Sequence, residues 1–147
     1  MKNLSVNSSN KFIEKRKIHS LVSSLSRTLD FKIQSLEINF IDQKEILELN
    51  KTHLNHNYFT DIITFNYSGD QKLLDGELLI SVDDAWENAK KYKVSVNEEI
   101  FRLVIHGILH LIGYDDTSAS KKRKMKLMEN KLLNRNKFLL LRGSKQR

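Results

Sequence analysis

The sequence predicts an α+β domain, and three observations carry that prediction. Apolar residues recur at helical spacing in five segments, short β-rich runs interrupt them, and the two kinds of element do not alternate strictly as a doubly wound parallel fold requires. The expected architecture is a small mixed sheet of about four strands packed by about five helices. Residues 11–29 place Phe12, Ile13, Arg16, Ile18, Leu21, Val22 and Leu25 at mostly helical spacing and read as a first helix. Leu36, Ile38 and Phe40 alternate with Glu37 and Asn39, as a half-buried strand does. Asp42 is placed to cap a second helix whose apolar face is Ile46, Leu47 and Leu49. Ile62-Ile63-Thr64-Phe65 is a strand, Ser68-Gly69-Asp70 a turn, and Glu77-Leu78-Leu79-Ile80-Ser81 a core strand. Asp83 or Asp84 then opens a helix through Ala85, Trp86 and Ala89. Asn97 is expected to cap the next, which carries Glu98 and Glu99 in its first turn and runs to Leu111, with Gly113 at C′. Ser118 or Ser120 starts a basic amphipathic helix with Met125, Met128, Leu132 and Leu133 on one side.

At 147 residues the chain has the length of one domain, expected over 1–147 with a basic tail from about 135. The net charge of +7 is unevenly spread. Residues 121–147 carry a local +10, residues 1–27 carry +5, and the middle carries −8. Basic ends around an acidic middle suggest a polyanionic partner. No run approaches the ~20 apolar residues of a membrane span, and the N-terminus lacks the apolar core of a secretory signal. The expected place is the cytoplasm, with no membrane partner. There is no cysteine, which excludes disulfides, a thiol nucleophile and Cys-ligated metals. A transition-metal site would have to be built from His and carboxylates.

His106 and His110 lie four apart in a helical segment, so both imidazoles leave one face, one turn apart, as two ligands of one metal require. Gly113 lets the chain turn back over the helix end and return Tyr114, Asp115 and Asp116 towards them. An acidic oxygen there would be a third ligand, and three protein ligands plus water is the open form of a catalytic zinc site. A bare HxxxH is a weak signal, since two histidines on an apolar helix are more often core or surface residues.

At these residues the chain is similar to a known family. His106-Gly107-Ile108-Leu109-His110-Leu111-Ile112-Gly113-Tyr114-Asp115 resembles the HGxLHLxGYDH signature of the YbeY family, bacterial metal-dependent endoribonucleases of ribosomal RNA maturation. Leu49-Asn50 with Thr60-Asp61-Ile62-Ile63-Thr64-Phe65 resembles the family's LN…TDVLSF block, and Gly76-Glu77-Leu78-Leu79-Ile80-Ser81 with Asp83 and Ala85 its GDIxIS.D.A block. Met125 followed by Glu129 fits its C-terminal helix. The resemblance runs over about residues 36–133. It implies an α+β fold with one zinc ion on the HGxLH helix. It implies a single-strand-specific endoribonuclease acting at the small-subunit rRNA 3′ end and in ribosome quality control. The implied partners are ribosomal RNA and the small ribosomal subunit, with ribosomal proteins or a ribosome-associated GTPase as further candidates.

The chain departs from the family pattern at two positions. Asp116 stands where the family has its last histidine ligand. Aspartate is an accepted zinc ligand at about 2.0–2.2 Å, but its charge weakens the Lewis acid and opens the site to harder divalent ions. Asp116 also fits an N-cap of the last helix. Leu54 stands at the family's cleft arginine and cannot bind a phosphate. Lys51, His53 and His56 lie near it as substitutes, and Arg102, one turn before His106, either points into the same cleft or forms a helix-surface ion pair. Asp115 is placed to fix an imidazole tautomer through its second nitrogen.

The metal and catalytic candidates are thus His106, His110 and Asp116, acting through a metal-bound water whose pKa falls towards ~7. Gly107 occupies the position where HExxH peptidases carry their glutamate, which argues against a peptidase and leaves the general base unassigned. The competing function is a metal-stabilised rRNA-binding assembly factor with little nuclease activity. Lys121, Lys122, Arg123 and Lys124 begin the last helix and, with the frayed end from Arg135 to Arg147, are either a solvated face or contacts to rRNA phosphates.

Overall fold

The computed structural model describes residues 3–54 and 60–141, with the side chains of His53 and Leu54 outside the description. Among these residues the order is β1 (Leu4–Asn7), α1 (Lys15–Leu29), β2 (Lys32–Ile41), α2 (Gln43–Leu54), β3 (Ile62–Asn66), β4 (Leu73–Ser81), α3 (Val82–Tyr92), α4 (Val96–Leu111), α5 (Ala119–Asn136) and the single turn α6 (Phe138–Leu141). The strands form one mixed sheet in the order β1-β2-β4-β3. β1 and β4 run parallel to β2, while β3 runs antiparallel to β4. The α+β expectation holds. The fourth strand, β1, had no counterpart in the sequence pattern.

The period-2 rule divides β4 between two layers. Leu74, Leu78 and Ile80 face a core shared with Leu36 and Ile38 of β2, Leu21 and Leu25 of α1, and Val104, Ile105 and Ile108 of α4. Leu79 points to the other face, where it meets Ile46 of α2 and Ile63 of β3. α4 lies at the middle of the fold, buried through Ile100, Phe101, Leu103, Val104, Ile105, Ile108, Leu109 and Leu111. No helix of the described residues is long and apolar enough to cross a membrane.

Serines cap three helices, and two expected caps move accordingly. Ser81, not Asp83 or Asp84, caps α3 by accepting from Asp84 N at 3.2 Å. Ser95, not Asn97, caps α4 by accepting from Glu98 N at 3.1 Å, and Asn97 instead donates to Glu14 Oε1. The aspartates and the asparagine sit inside the first turn, where side-chain geometry no longer reaches the free N–H groups. Ser118 caps α5, which removes the N-cap role considered for Asp116. Asp42 does accept from Glu45 N at 2.8 Å at the start of α2. The chain is helical as far as Leu141 rather than frayed from 135, because Leu139 is buried and Lys17 Nζ donates to Leu140 O at 3.0 Å.

Candidate metal centre and its cleft

Gly107 brings α4 to the sheet. A Cβ at this position would lie 2.7 and 2.8 Å from the Leu78 methyls and 3.1 Å from Ile62 Cδ1. Glycine lets the helix press closely on β4 and β3 without displacing these side chains, and this contact sets where His106 and His110 stand. Both are half-buried. The helix ends in a Schellman arrangement, with Tyr114 N donating to Leu109 O at 2.9 Å and Gly113 N to His110 O at 3.1 Å. Gly113 has φ 107°, and Gln71 packs where its Cβ would be. The turn carries Tyr114 back over the helix end, as the glycine position predicts.

Each imidazole is held by its Nδ1. His110 Nδ1 donates to the Tyr114 carbonyl at 3.0 Å, and His106 Nδ1 meets Glu129 Oε2 of α5 at 2.5 Å. A carbonyl and a carboxylate only accept, so both Nδ1 atoms carry the hydrogen. In the neutral rings the two Nε2 atoms are then bare acceptors, and they face each other at 3.2 Å. Two lone pairs that close repel unless a cation lies between them. Imidazole–zinc bonds of about 2.0–2.1 Å at a tetrahedral angle set their nitrogens about 3.3 Å apart, so the pair fits an ion of that kind. Ligand atoms of His106, His110 and exposed Asp116 all lie within 4.8 Å of one another, and this trio could hold a metal ion. Burial, then the neighbouring His106 charge, pushes His110 below the usual imidazole range against the pull of Asp116 and Tyr114. That shift favours the neutral, ligating form.

Two of the trio, His106 and Asp116, line a cleft of about 870 Å³. α5 contributes the cations Lys122, Arg123 and Lys126, while Asp61, Asn88 and Tyr92 line it from the β3 side and α3. A charge network runs along the cleft wall. Arg102 Nε pairs with Glu99 Oε1 at 3.3 Å and Arg102 Nη1 with Glu129 Oε1 at 3.6 Å. Asn88 Nδ2 donates to Asp61 Oδ2 at 3.3 Å and to Glu99 Oε2 at 3.4 Å. Burial pushes Asp61 and Glu99 above the usual carboxylate range. The His106 charge opposes the shift at Asp61, and Arg102 opposes it at Glu99.

The family model for Endoribonuclease YbeY matches residues 3–137. The chain belongs to the YbeY family. Endoribonuclease YbeY of Parabacteroides distasonis is 36% identical over 121 residues, which are 82% of this chain and 84% of that protein. The protein of the same name from Chlorobium limicola is 41% identical over 105 residues, 71% of this chain and 72% of that one. The solution structure of TM1509 from Thermotoga maritima shares the fold, with a TM-score of 0.67 at 21% identity over 98% of this chain and 99% of that chain.

Within this YbeY chain the structure brings together His106, His110 and Asp116. It does not bring Asp115 to an imidazole. Asp115 accepts from Thr117 N and Oγ1 at 3.1 and 2.8 Å and pairs with Lys121, because the turn aims its carboxylate along the chain towards α5. The tautomer-fixing roles fall instead to the Tyr114 carbonyl and Glu129. Arg102 lines the cleft but is committed to Glu99 and Glu129. Lys51 is exposed on α2. The side chains of His53 and Leu54, and the whole of His56, lie outside the described residues, as do residues 142–147. Sequence reasoning missed the contact of Glu129 with His106. The signal was there: Glu129 is the sole acid in residues 121–147 and falls on the apolar stripe of Met125, Leu132 and Leu133.

Proposed function

We propose that the chain is one domain over 1–147 that works in the cytoplasm as a metal-dependent, single-strand-specific endoribonuclease. Its substrate is ribosomal RNA, at the 3′ end of the small-subunit rRNA, and its setting is the small ribosomal subunit and its quality control. One divalent ion, zinc for this donor set, is held by His106, His110 and Asp116. The observation that carries this is the pair of bare Nε2 atoms 3.2 Å apart beside a cleft with a cationic wall. When bound, the ion supplies a Lewis acid for the phosphoryl oxygen and a nucleophile at neutral pH.

The chain's own residues do the rest. Lys122, Arg123 and Lys126 attract and align the phosphates, a task the family gives partly to the arginine replaced here by Leu54. Tyr92, 57% exposed on the cleft, offers a face on which an unpaired base stacks. Asp61 and Asn88 add polar side chains to the cleft lining. Elemental analysis of the purified protein, with cleavage of a single-stranded RNA by wild type and His110→Ala, tests the function. One ion per chain and cutting lost together in the variant are expected. A wild type that binds the ion yet cuts RNA no faster than His110→Ala would leave an RNA-binding assembly factor in place of the nuclease.

A further inference from the structure

We propose that Glu129 is the positioning residue for His106, and that through it metal loading on α4 and docking of α5 are one coupled event. This role presupposes the metal centre proposed above. Glu129 is only 5% exposed, on a helix whose lysines and arginines face solvent. A buried carboxylate is unfavourable unless it is paired and hydrogen-bonded. An apolar side chain would pack this interface at least as well, so packing alone does not call for an acid here.

The partners of the two oxygens say what the acid does. Oε2 takes the His106 Nδ1 hydrogen, and Oε1 faces Arg102 Nη1 at 3.6 Å and Lys126 Nζ at 3.9 Å. Holding Nδ1 fixes the rotation of the ring and its tautomer, so that Nε2 is the atom turned towards His110 and Asp116. A carboxylate on the far nitrogen also raises the basicity of the ligating one. The two imidazoles differ in this respect. His110 is anchored by the end of its own helix, four residues away, whereas His106 is anchored by another helix, 23 residues away.

Coupling of this kind is reciprocal. If α5 must dock for His106 to be aimed, an ion on His106 holds α5 in place. α5 also carries Lys122, Arg123 and Lys126 of the cleft wall. Metal occupancy would therefore steady the surface that meets the RNA backbone.

The test titrates zinc alone into the full chain against a chromophoric chelator, for wild type, Glu129→Gln, Glu129→Ala and His110→Ala. Glu129→Ala should hold zinc about 10–100-fold more weakly than wild type, with Glu129→Gln between them, since its amide oxygen still accepts from Nδ1. Imidazole 15N spectra should show His106 as the Nδ1–H tautomer in wild type and a tautomer mixture in Glu129→Ala, a change that loosened packing alone would not produce. Amide hydrogen exchange in wild type should slow along α5 when zinc is added and stay constant along α1.

Equal zinc affinity in wild type and both Glu129 variants, with His110→Ala weakened, would overturn the positioning role and leave the metal centre standing. A wild type that takes up no stoichiometric zinc, or a His110→Ala protein that binds it equally well, would overturn the centre and this role with it. Should Glu129→Ala fail to fold, Glu129→Gln and the wild-type exchange experiment decide alone, and α5 exchange indifferent to zinc overturns the coupling.

Discussion

Single side chains decide the chemistry, and they were only partly legible. The i, i+4 spacing put both imidazoles on one face because helical geometry aligns them, and the turn at Gly113 pointed to an acidic third ligand, but the choice of Asp116 rested on the family resemblance. The groups that orient the rings were not readable: one is a main-chain carbonyl, and the other lies on α5, brought in by packing. His110→Ala should abolish stoichiometric metal and lower RNA cleavage by about 10²-fold or more, the scale on which losing a charge-stabilising group acts, measured by single-turnover assay. Asp61 yields a pH prediction. Burial raises its pKa from 3.8, so the folded protein binds its proton more tightly than the unfolded chain does. The resulting penalty is absent below the unfolded pKa, grows as the pH rises through the folded pKa, and is complete above it. Metal-free Asp61→Asn should therefore melt above wild type where Asp61 is ionised, with the gap closing as the pH falls to the unfolded pKa. A gap that widens on acidification would contradict the assignment.

At the scale of elements, the five long helices and the three core-strand segments were legible because burial on one face imposes a period. The strand β1 was not, since a four-residue stretch with Ser5 and Asn7 in it has little propensity of its own and exists through its parallel pairing with β2. The early half of β4 was hidden for a related reason. Asp75 and Gly76 disfavour strand, yet a Cβ at 76 would stand 2.6 Å from Phe65 O, so the sheet selects glycine there. Gly107 makes the same kind of demand between α4 and β4. Gly107→Ala should cost about 1–3 kcal/mol through overpacking, and Leu78→Ala about 2–5 kcal/mol through a cavity. Combined, the two should cost less than their sum, because the new methyl enters the space that Leu78 leaves. Chemical denaturation of the four proteins checks this, and strict additivity would mean that α4 does not rest on Leu78 as described.

Over the whole molecule, the +7 of the sequence becomes a placement. The acidic middle contains the trio, Asp61 and the buried Glu99, while the basic helix α5 turns Lys122, Arg123 and Lys126 to the same cleft. The sequence showed the segregation of charge but could not show that the two regions meet, since only the fold joins residue 61 to residue 126. Replacing these three cations by alanine should weaken binding of single-stranded RNA and reduce the slope of log K against log salt by about 2, at about 0.7 per phosphate contact. An unchanged slope would place the RNA elsewhere. The late position of α5 has one more consequence, and it concerns synthesis of the chain. The chain is synthesised from its N-terminus, so α5 emerges after α4. A copy cut short before Ala119 possesses both imidazoles but has neither the Glu129 carboxylate nor the cationic wall. If α5 and metal are coupled as proposed, a copy that stops before Ala119 has no firm hold on metal or RNA, and the nuclease is armed only when its last long helix is in place.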